Sequence, residues 1–540
     1  MEAPEVPMNF YRRLPLALLL TAAISGLTLS SSAAAAQTDD DLRASVKKFT
    51  QLYQAVESNF ADKVDSDRLV YRGAIPGMLR TLDPHSNFFD AKAWQILREG
   101  QAGHYYGVGM LVGQPEGKVL VLYPFQGSPA YRAGIHPGDR IVAVDDKDAT
   151  KLNVSEVSSL LKGPRGTKVR IVVRREGNVE PLIFGVVRDE VPRGSVNHTF
   201  WIRPGIAYMK VDAFNETTGH EVDAALTQFG EQSIEGLVLD LRGNPGGLVN
   251  EAVNVADRFL HKGQTIVSHH GRASAEAKFT ARKGERGPEY PIVVLVDRGS
   301  ASASEILAGA LQDHDRAWIM GENTFGKGLV QAPFPLSGNA ALLLTIAHYY
   351  TPSGRLIQRE YANRSFYEYY SRLEGKNNPK DLRKTDSGRV VYGGDGIAPD
   401  ERYETPKLDT LEATLQGRLG FFYFAAEYFG THPAKLEKEW RPDEAVLSSL
   451  RAFLTKRGAV IEDKEWEHDR PWIADRLRDE FFITAFSKEE SEQFALQHDP
   501  EVLKAVDSLP ASKALLQKAK DVVAAKTAKK ASAPGVAEAR

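Results

Sequence analysis

Three alternating serines, Ser300, Ser302 and Ser304, precede a lysine, Lys327, within PIVVLVDRGSASASEILAGALQDHDRAWIMGENTFGKGLVQ at residues 291–331. Serine and lysine together can cut an acyl bond, because a serine hydroxyl becomes a useful nucleophile once a neighbouring base takes its proton. Lysine is such a base only when neutral, so burial must lower its pKa from a reference of about 10.4. Phe325 beside Lys327, and glycines at 326 and 328 that let the backbone pack closely, suit that demand. Plainer readings compete. Ser302 and Glu305 have the spacing of a capping box, and a lysine between glycines fits a solvated loop. Gly321 to Lys327 also spells GxxxxGK, but residue 328 is glycine where magnesium needs a Ser or Thr hydroxyl. Nucleotide binding is rejected.

A serine and a lysine so far apart in sequence react only if the fold returns one to the other. Ile292 to Val296 is an apolar, β-branched run too short for a helix and reads as a buried strand. A Gly/Ser turn leads to an amphipathic helix from about Ser304 to Asp313, with Ile306, Leu307, Ala310 and Leu311 on one face. A strand from Ala317 to Met320 then runs into the glycine loop that holds Lys327. This order places a serine at a helix N-terminus, where free N–H groups and partial positive charge favour an oxyanion. It also brings the lysine back to the same end of the sheet.

GSASASEI (299–306) followed by ENTFGKGLVQ (322–331) resembles the signature of the C-terminal processing, or tail-specific, serine proteases. The resemblance implies that Ser302 is the nucleophile, Lys327 the general base and Gln331 a residue that orients the lysine, with Ser300 and Ser304 as neighbours. Asp313 matches a carboxylate of the family pattern. The turn RGNPGG (242–247) would by itself be read as a plain turn. The resemblance implies that a backbone N–H there completes an oxyanion hole with that of Ala303, assigned here to Gly246 with Gly247 left open. LLLTIAHYYTPSGRLIQ (342–358) and GGDGIAPD (393–400) also match, except that His348 stands where the pattern has lysine, which bears on a substrate-groove contact and not on the dyad. The implied fold is a multidomain α/β protein, a crotonase-like (ClpP/crotonase) core with an inserted PDZ domain and helical N- and C-terminal regions.

The rest of the chain fits this frame. Its 540 residues allow several domains, and a net charge of −3 implies no general affinity for nucleic acid. Cysteine is absent, which excludes disulfides and zinc–thiolate sites. Arg12 and Arg13, an apolar stretch from Leu14 to Leu29 and then SSSAAAAQ form a signal-peptide pattern with cleavage after Ala36. The apolar stretch is short for a bilayer-spanning helix of about 20 residues. The protein is therefore expected to be exported, periplasmic or associated with the cell envelope.

Residues 37–102 read as helical, with Val46, Phe49, Leu52, Tyr53 and Val56 at helical spacing before the break at TLDPHSNFFD (81–90). His85 there is read as part of an Asx-type turn. Residues 103–188 alternate short strands and turns around a helix from Val154 to Leu161, and SPAYRAGIHPGDRIVAVD (128–145) resembles a PDZ domain. Its carboxylate-binding loop would be Tyr106, Gly107, Val108 and Gly109, whose N–H groups hold a peptide's C-terminus while the peptide adds as a strand. Lys162 and Arg165 are read as solvated, or as a bridge to the catalytic domain. The protease core spans 189–405, a helical extension 406–520 and a disordered tail 521–540. The extension is an interaction module, a lid, or a cover packed on the core.

The function expected is that of an exported serine endopeptidase without metal or other cofactor. Its partners would be proteins or peptides with free C-termini and an adaptor or activator, with self-association through the N- or C-terminal helices. The main alternative is a catalytically silent PDZ-bearing scaffold of the same fold, and a Ser–Lys amidase acting on small molecules is the second.

Overall fold

The computed structural model describes residues 30–272, 274–284, 289–362, 365–371 and 381–532. The apolar stretch read as a signal sequence and residues 533–540 lie outside the described residues. The chain divides into two compact units, residues 1–77 and 78–540. In the first, a helix Ser30–Asn59 carries Val46, Phe49, Leu52 and Val56 exposed, and Tyr53 donates its hydroxyl to Ser66 at 2.6 Å. No helix among the described residues is long and apolar enough to cross a membrane.

In the second unit, the strands Met110–Gly113, Leu120–Pro124, Arg140–Val144, Lys168–Arg174 and Leu182–Val187 lie side by side, antiparallel, in that order. A capping box of Asn153 and Glu156 starts the helix Val154–Leu161, which buries Val157 and Leu161 against Val121, Ile141 and Ile171. Met110–Gly113 is an edge strand, open to pairing on its outer side.

The catalytic region is built on a second sheet. Its strands run Val196–Arg203, Ile206–Val211, Gly236–Asp240, Ile292–Val296, Trp318–Gly321 and Glu401–Arg402, and every pair after the first is parallel. Gly236–Asp240 and Ile292–Val296 are buried at every residue. A run apolar on both faces requires a cover on each. Leu237, Leu239, Ile292 and Val294 face a core shared with the helices Thr218–Phe229, Val249–Phe259 and Ala303–Asp313. Val238, Val293 and Leu295 face Val502, Ala505 and Leu509, so the C-terminal helices Pro500–Asp507 and Leu509–Ser532 cover the other side. The Ser512 hydroxyl donates to the Ile292 carbonyl at 2.8 Å and accepts the Ile292 N–H. The extension is thus packed on the core.

One expectation is corrected here. The composition of the tail predicts disorder from residue 521, but the helix Leu509–Ser532 runs through 521–532. Alanine and lysine are strong helix formers, and they continue a helix already anchored by Leu509, Leu515 and Leu516.

A third sheet delivers the lysine loop. Leu329–Pro335 follows Lys327 and pairs with Ala341–Tyr350, whose other edge takes the short strand Asn87–Phe89. That pairing carries the LDPHS turn to the loop.

Candidate active site

Two turns meet at the C-terminal ends of the parallel strands. Asp297 follows Ile292–Val296 and accepts the N–H groups of Gly299, Ser300 and Gly243 at 2.8–3.0 Å. The Ser300 hydroxyl donates to the Leu241 carbonyl at 2.8 Å and that of Ser304 to the Asn244 carbonyl at 3.0 Å. Both serines are therefore spent on stitching the turns together. Ser302 differs: it is 9 % exposed and has φ +55°, ψ −110°. A non-glycine residue held there costs about 1–3 kcal/mol and persists only when its surroundings fix it. Here the Ser302 N–H donates to Glu305 Oε2 at 2.8 Å, and the Tyr349 hydroxyl donates to the Ser302 carbonyl at 3.0 Å.

The Ser302 N–H bond to Glu305 is the glutamate's half of the expected capping box, yet Glu305 does more than cap. Its fully buried carboxylate also accepts the N–H groups of Gly326 at 2.7 Å and Lys327 at 2.8 Å, and the Thr324 hydroxyl at 2.5 Å. One anion therefore joins the backbone of the serine to that of the lysine. Burial pushes its pKa up, and these four hydrogen bonds pull it down. Tyr349 makes a second tie, its one hydroxyl proton shared between the carbonyls of Lys327 and Ser302. Sequence reasoning saw Glu305 only as a cap and missed Tyr349.

The glycines beside Lys327 serve close approach. A Cβ on Gly326 would lie 3.0 Å from Arg359 Cβ, and one on Gly328 would lie 2.9 Å from the Gln358 nitrogen. The Lys327 amine is largely buried, and that burial lowers its pKa, with the charges of Glu305 and Asp83 opposing. It donates to Gln331 Oε1 at 2.9 Å, and Gln331 Nε2 donates to the His85 carbonyl at 2.8 Å. The LDPHS turn has the expected Asx form, since Asp83 accepts the N–H groups of His85 and Ser86, both at 2.7 Å. Burial, then the Lys327 charge, push the His85 pKa down to about 4, against Asp83. Its ring bonds the Tyr369 hydroxyl at 2.8 Å. His85 is thus neutral near pH 7, and through its carbonyl it positions the residue that holds the lysine.

The glycine turn corrects a second expectation. Gly246 packs against the serine, since a Cβ there would fall 2.6 Å from the Ala301 carbonyl oxygen and 2.8 Å from Ser302 Cβ. Its N–H, however, donates to Asn244 Oδ1 at 2.8 Å and is already spent. The N–H groups of Gly247 and Ala303 have no acceptor among the described residues.

Asp313, with no place at the dyad, forms a buried ion pair with Arg355 at 2.7 Å and accepts the Ser353 N–H at 3.0 Å, fixing the TPSGR turn. His348 pairs across the strands with Leu329 and His270, and burial and His270 lower its pKa. In the PDZ region, Tyr106 and Gly107 are held in a strand paired with Asp189–Pro192, while Val108 and Gly109 have N–H groups without acceptors among the described residues. Gly109 has φ +76°, and a Cβ there would fall 2.4 Å from Ser128 Cβ. Lys162 pairs with Glu99 at 2.6 Å and Arg165 with Asp189 at 2.8 Å, so neither bridges to the catalytic sheet.

Comparison with known proteins agrees with this layout. The model of peptidase family S41 matches residues 205–363, that of the PDZ domain 121–175, and that of the activating protease CtpB N-terminal domain 19–93. The carboxy-terminal-processing protease of Bartonella bacilliformis is 39% identical over 316 residues, 58% of this chain and 72% of the relative. Carboxy-terminal processing protease CtpA of Bacillus subtilis is 35% identical over 314 residues, 58% of this chain and 66% of the relative. Among solved structures, a photosystem II D1 C-terminal processing protease is 29% identical and matches 66% of this chain and 86% of its own at a TM-score of 0.36, too loose a superposition to define the fold.

Proposed function

Since this chain belongs to the carboxy-terminal processing serine proteases of peptidase family S41, we propose that Ser302 is its nucleophile and Lys327 its general base. The observation that carries this reading is the shared carboxylate of Glu305, which binds both residues' N–H groups, beside a lysine whose pKa burial lowers. Neutral Lys327 takes the hydroxyl proton as Ser302 Oγ bonds to the substrate carbonyl carbon. The oxyanion so formed is met by the free N–H groups of Ala303 and Gly247; loss of one such donor costs on the order of 10²–10³ in rate. Lys327 then gives the proton to the departing amine as the C–N bond breaks. Water attacks the acyl-enzyme, again losing its proton to Lys327, and Ser302 recovers its hydrogen as the carboxylate product leaves. Gln331, tied to His85, holds the amine on line for both transfers.

The PDZ domain is proposed to capture the substrate's C-terminus, with the free N–H groups of Val108 and Gly109 binding the carboxylate and the edge strand Met110–Gly113 taking the peptide as an added strand. A peptide ending in a free apolar residue is expected to be cut at least tenfold faster, as kcat/KM, than the same peptide amidated, because the amide removes the anion those N–H groups bind. Equal rates would remove the PDZ domain from substrate selection.

Parallel strands that alternate with the helices Thr218–Phe229, Val249–Phe259 and Ala303–Asp313 support a crotonase-like core. The basic, apolar and small-residue order of residues 12–36 supports export. A silent scaffold has no use for a buried lysine held on a glutamine beside a strained serine.

A further inference from the structure

The helical extension has its own core, in which Leu411, Leu415, Phe424, Leu450, Trp466, Ile473 and Phe481 pack together. At its edge three polar groups converge. Asp409 ends the linker that leaves the catalytic sheet after Glu401–Arg402 and caps the helix Thr410–Gly417 through the Glu412 N–H at 2.9 Å. His468 and Asp469 lie on the helix Asp463–Ala485. One ligand atom from each of the three lies within 4.8 Å of the others.

An acidic cluster with a histidine is ordinary on a protein surface, but Asp469 is not on the surface. It is 3 % exposed; its Oδ1 takes the His468 Nδ1 at 2.6 Å, and its Oδ2 is buried with no hydrogen-bond donor. A buried carboxylate oxygen normally has a donor or a cation. A second carboxylate, that of Asp409, stands beside that of Asp469. Two carboxylates so placed need positive charge beside them, from a protonated His468, a shared proton or a metal ion.

We propose that Asp409, His468 and Asp469 form a divalent metal site of the zinc type, which ties the start of the helix Thr410–Gly417 to the helix Asp463–Ala485. Two carboxylate oxygens and one imidazole nitrogen are a donor set that suits zinc, with water in the fourth position. Bonds of about 2.1 Å set tetrahedral ligand atoms about 3.4 Å apart. Asp469 is fixed by burial, while Asp409 and His468 are exposed and can swing inward. The site is remote in sequence from Ser302 and Lys327, and its part is to fix the extension where the chain leaves the catalytic sheet, not to enter peptide hydrolysis.

The test is a zinc titration of the full, untagged chain after treatment with a chelator, against a chromophoric competitor, with Tm read alongside. Asp409→Asn keeps a good capping residue, and His468→Gln alters an exposed side chain, so both variants should fold, and the metal-free Tm of each is its own reference. The wild type is expected to bind one zinc with Kd below about 10 µM and to gain several degrees in Tm, and each variant to bind that zinc at least about thirtyfold more weakly. Wild-type binding no tighter than about 100 µM, or equal binding by both variants, would overturn the proposal and leave the two carboxylates balanced by His468 or a shared proton.

Discussion

Lys327→Arg is expected to abolish peptide cleavage, by on the order of 10⁴-fold or more in kcat/KM, while leaving the protein folded. Arginine keeps the charge and reaches at least as far as lysine, so a purely structural ion would be largely preserved. It cannot act as a base, because its pKa lies above about 12. The lysine can, because burial lowers its pKa, and Gln331 supplies a neutral acceptor rather than a carboxylate that would hold the proton. Lys327→Ala should lose activity to a similar extent, which separates loss of the base from crowding by the larger guanidinium. Peptide cleavage by each variant, with Tm measured on the same samples, checks this; near-normal rates in either variant would assign the base elsewhere.

Glu305→Gln is expected to damage both activity and stability. Oε1 accepts from Thr324 and Gly326, and Oε2 accepts from Ser302 and Lys327. All four partners donate, so an amide NH2 in place of either oxygen sets donor against donor in a fully buried site. Leaving one or two buried N–H groups unsatisfied costs about 3 kcal/mol or more. The strained φ of Ser302 and the position of Lys327 share this anchor, so kcat should fall at least a hundredfold even where the variant remains folded, because small misplacements at a reacting centre are amplified. Denaturant unfolding and kcat measured together check the pair of effects. A stable, fully active Glu305→Gln would show that the carboxylate is only a helix cap.

Much of this arrangement is legible in the sequence where local physics is strong. The strand Ile292–Val296 and the helix Val154–Leu161 fall on the residues that the pattern indicates, because the apolar residues there are bounded by Gly, Pro or charged residues. Ser302, Lys327 and Gln331 come from a motif, and the fold brings the lysine to the glutamine. What escapes is what depends on distant backbone. Glu305 looks satisfied within its own turn, and its bonds to Gly326 and Lys327 exist only after a parallel strand crossover. The choice between Gly246 and Gly247 turns on which N–H the Asn244 side chain consumes, a detail of φ values of +96° and +146° that no pattern encodes. The cover on the second face of the sheet was foreshadowed by strands with no polar side, LVL at 237–239 and IVVLV at 292–296, which demand two layers. A cover from the extension is among the readings of the sequence; which of its helices reach the sheet, Pro500–Asp507 and Leu509–Ser532, is not legible there.

The measurement closest to the central claim is the pH profile of kcat/KM for wild-type protein on a peptide with a free C-terminus, run beside Ser302→Ala. The base must be neutral, so activity should be low in acid and rise with pH through the pKa of Lys327, which burial holds below the ordinary lysine value of 10.5. His85 should not set this limb, since it loses its proton near pH 4. Ser302→Ala should be inactive at every pH. Cleavage by Ser302→Ala at the wild-type rate, or an acid limb that disappears in His85→Gln and persists in Lys327→Ala, would contradict the serine–lysine account.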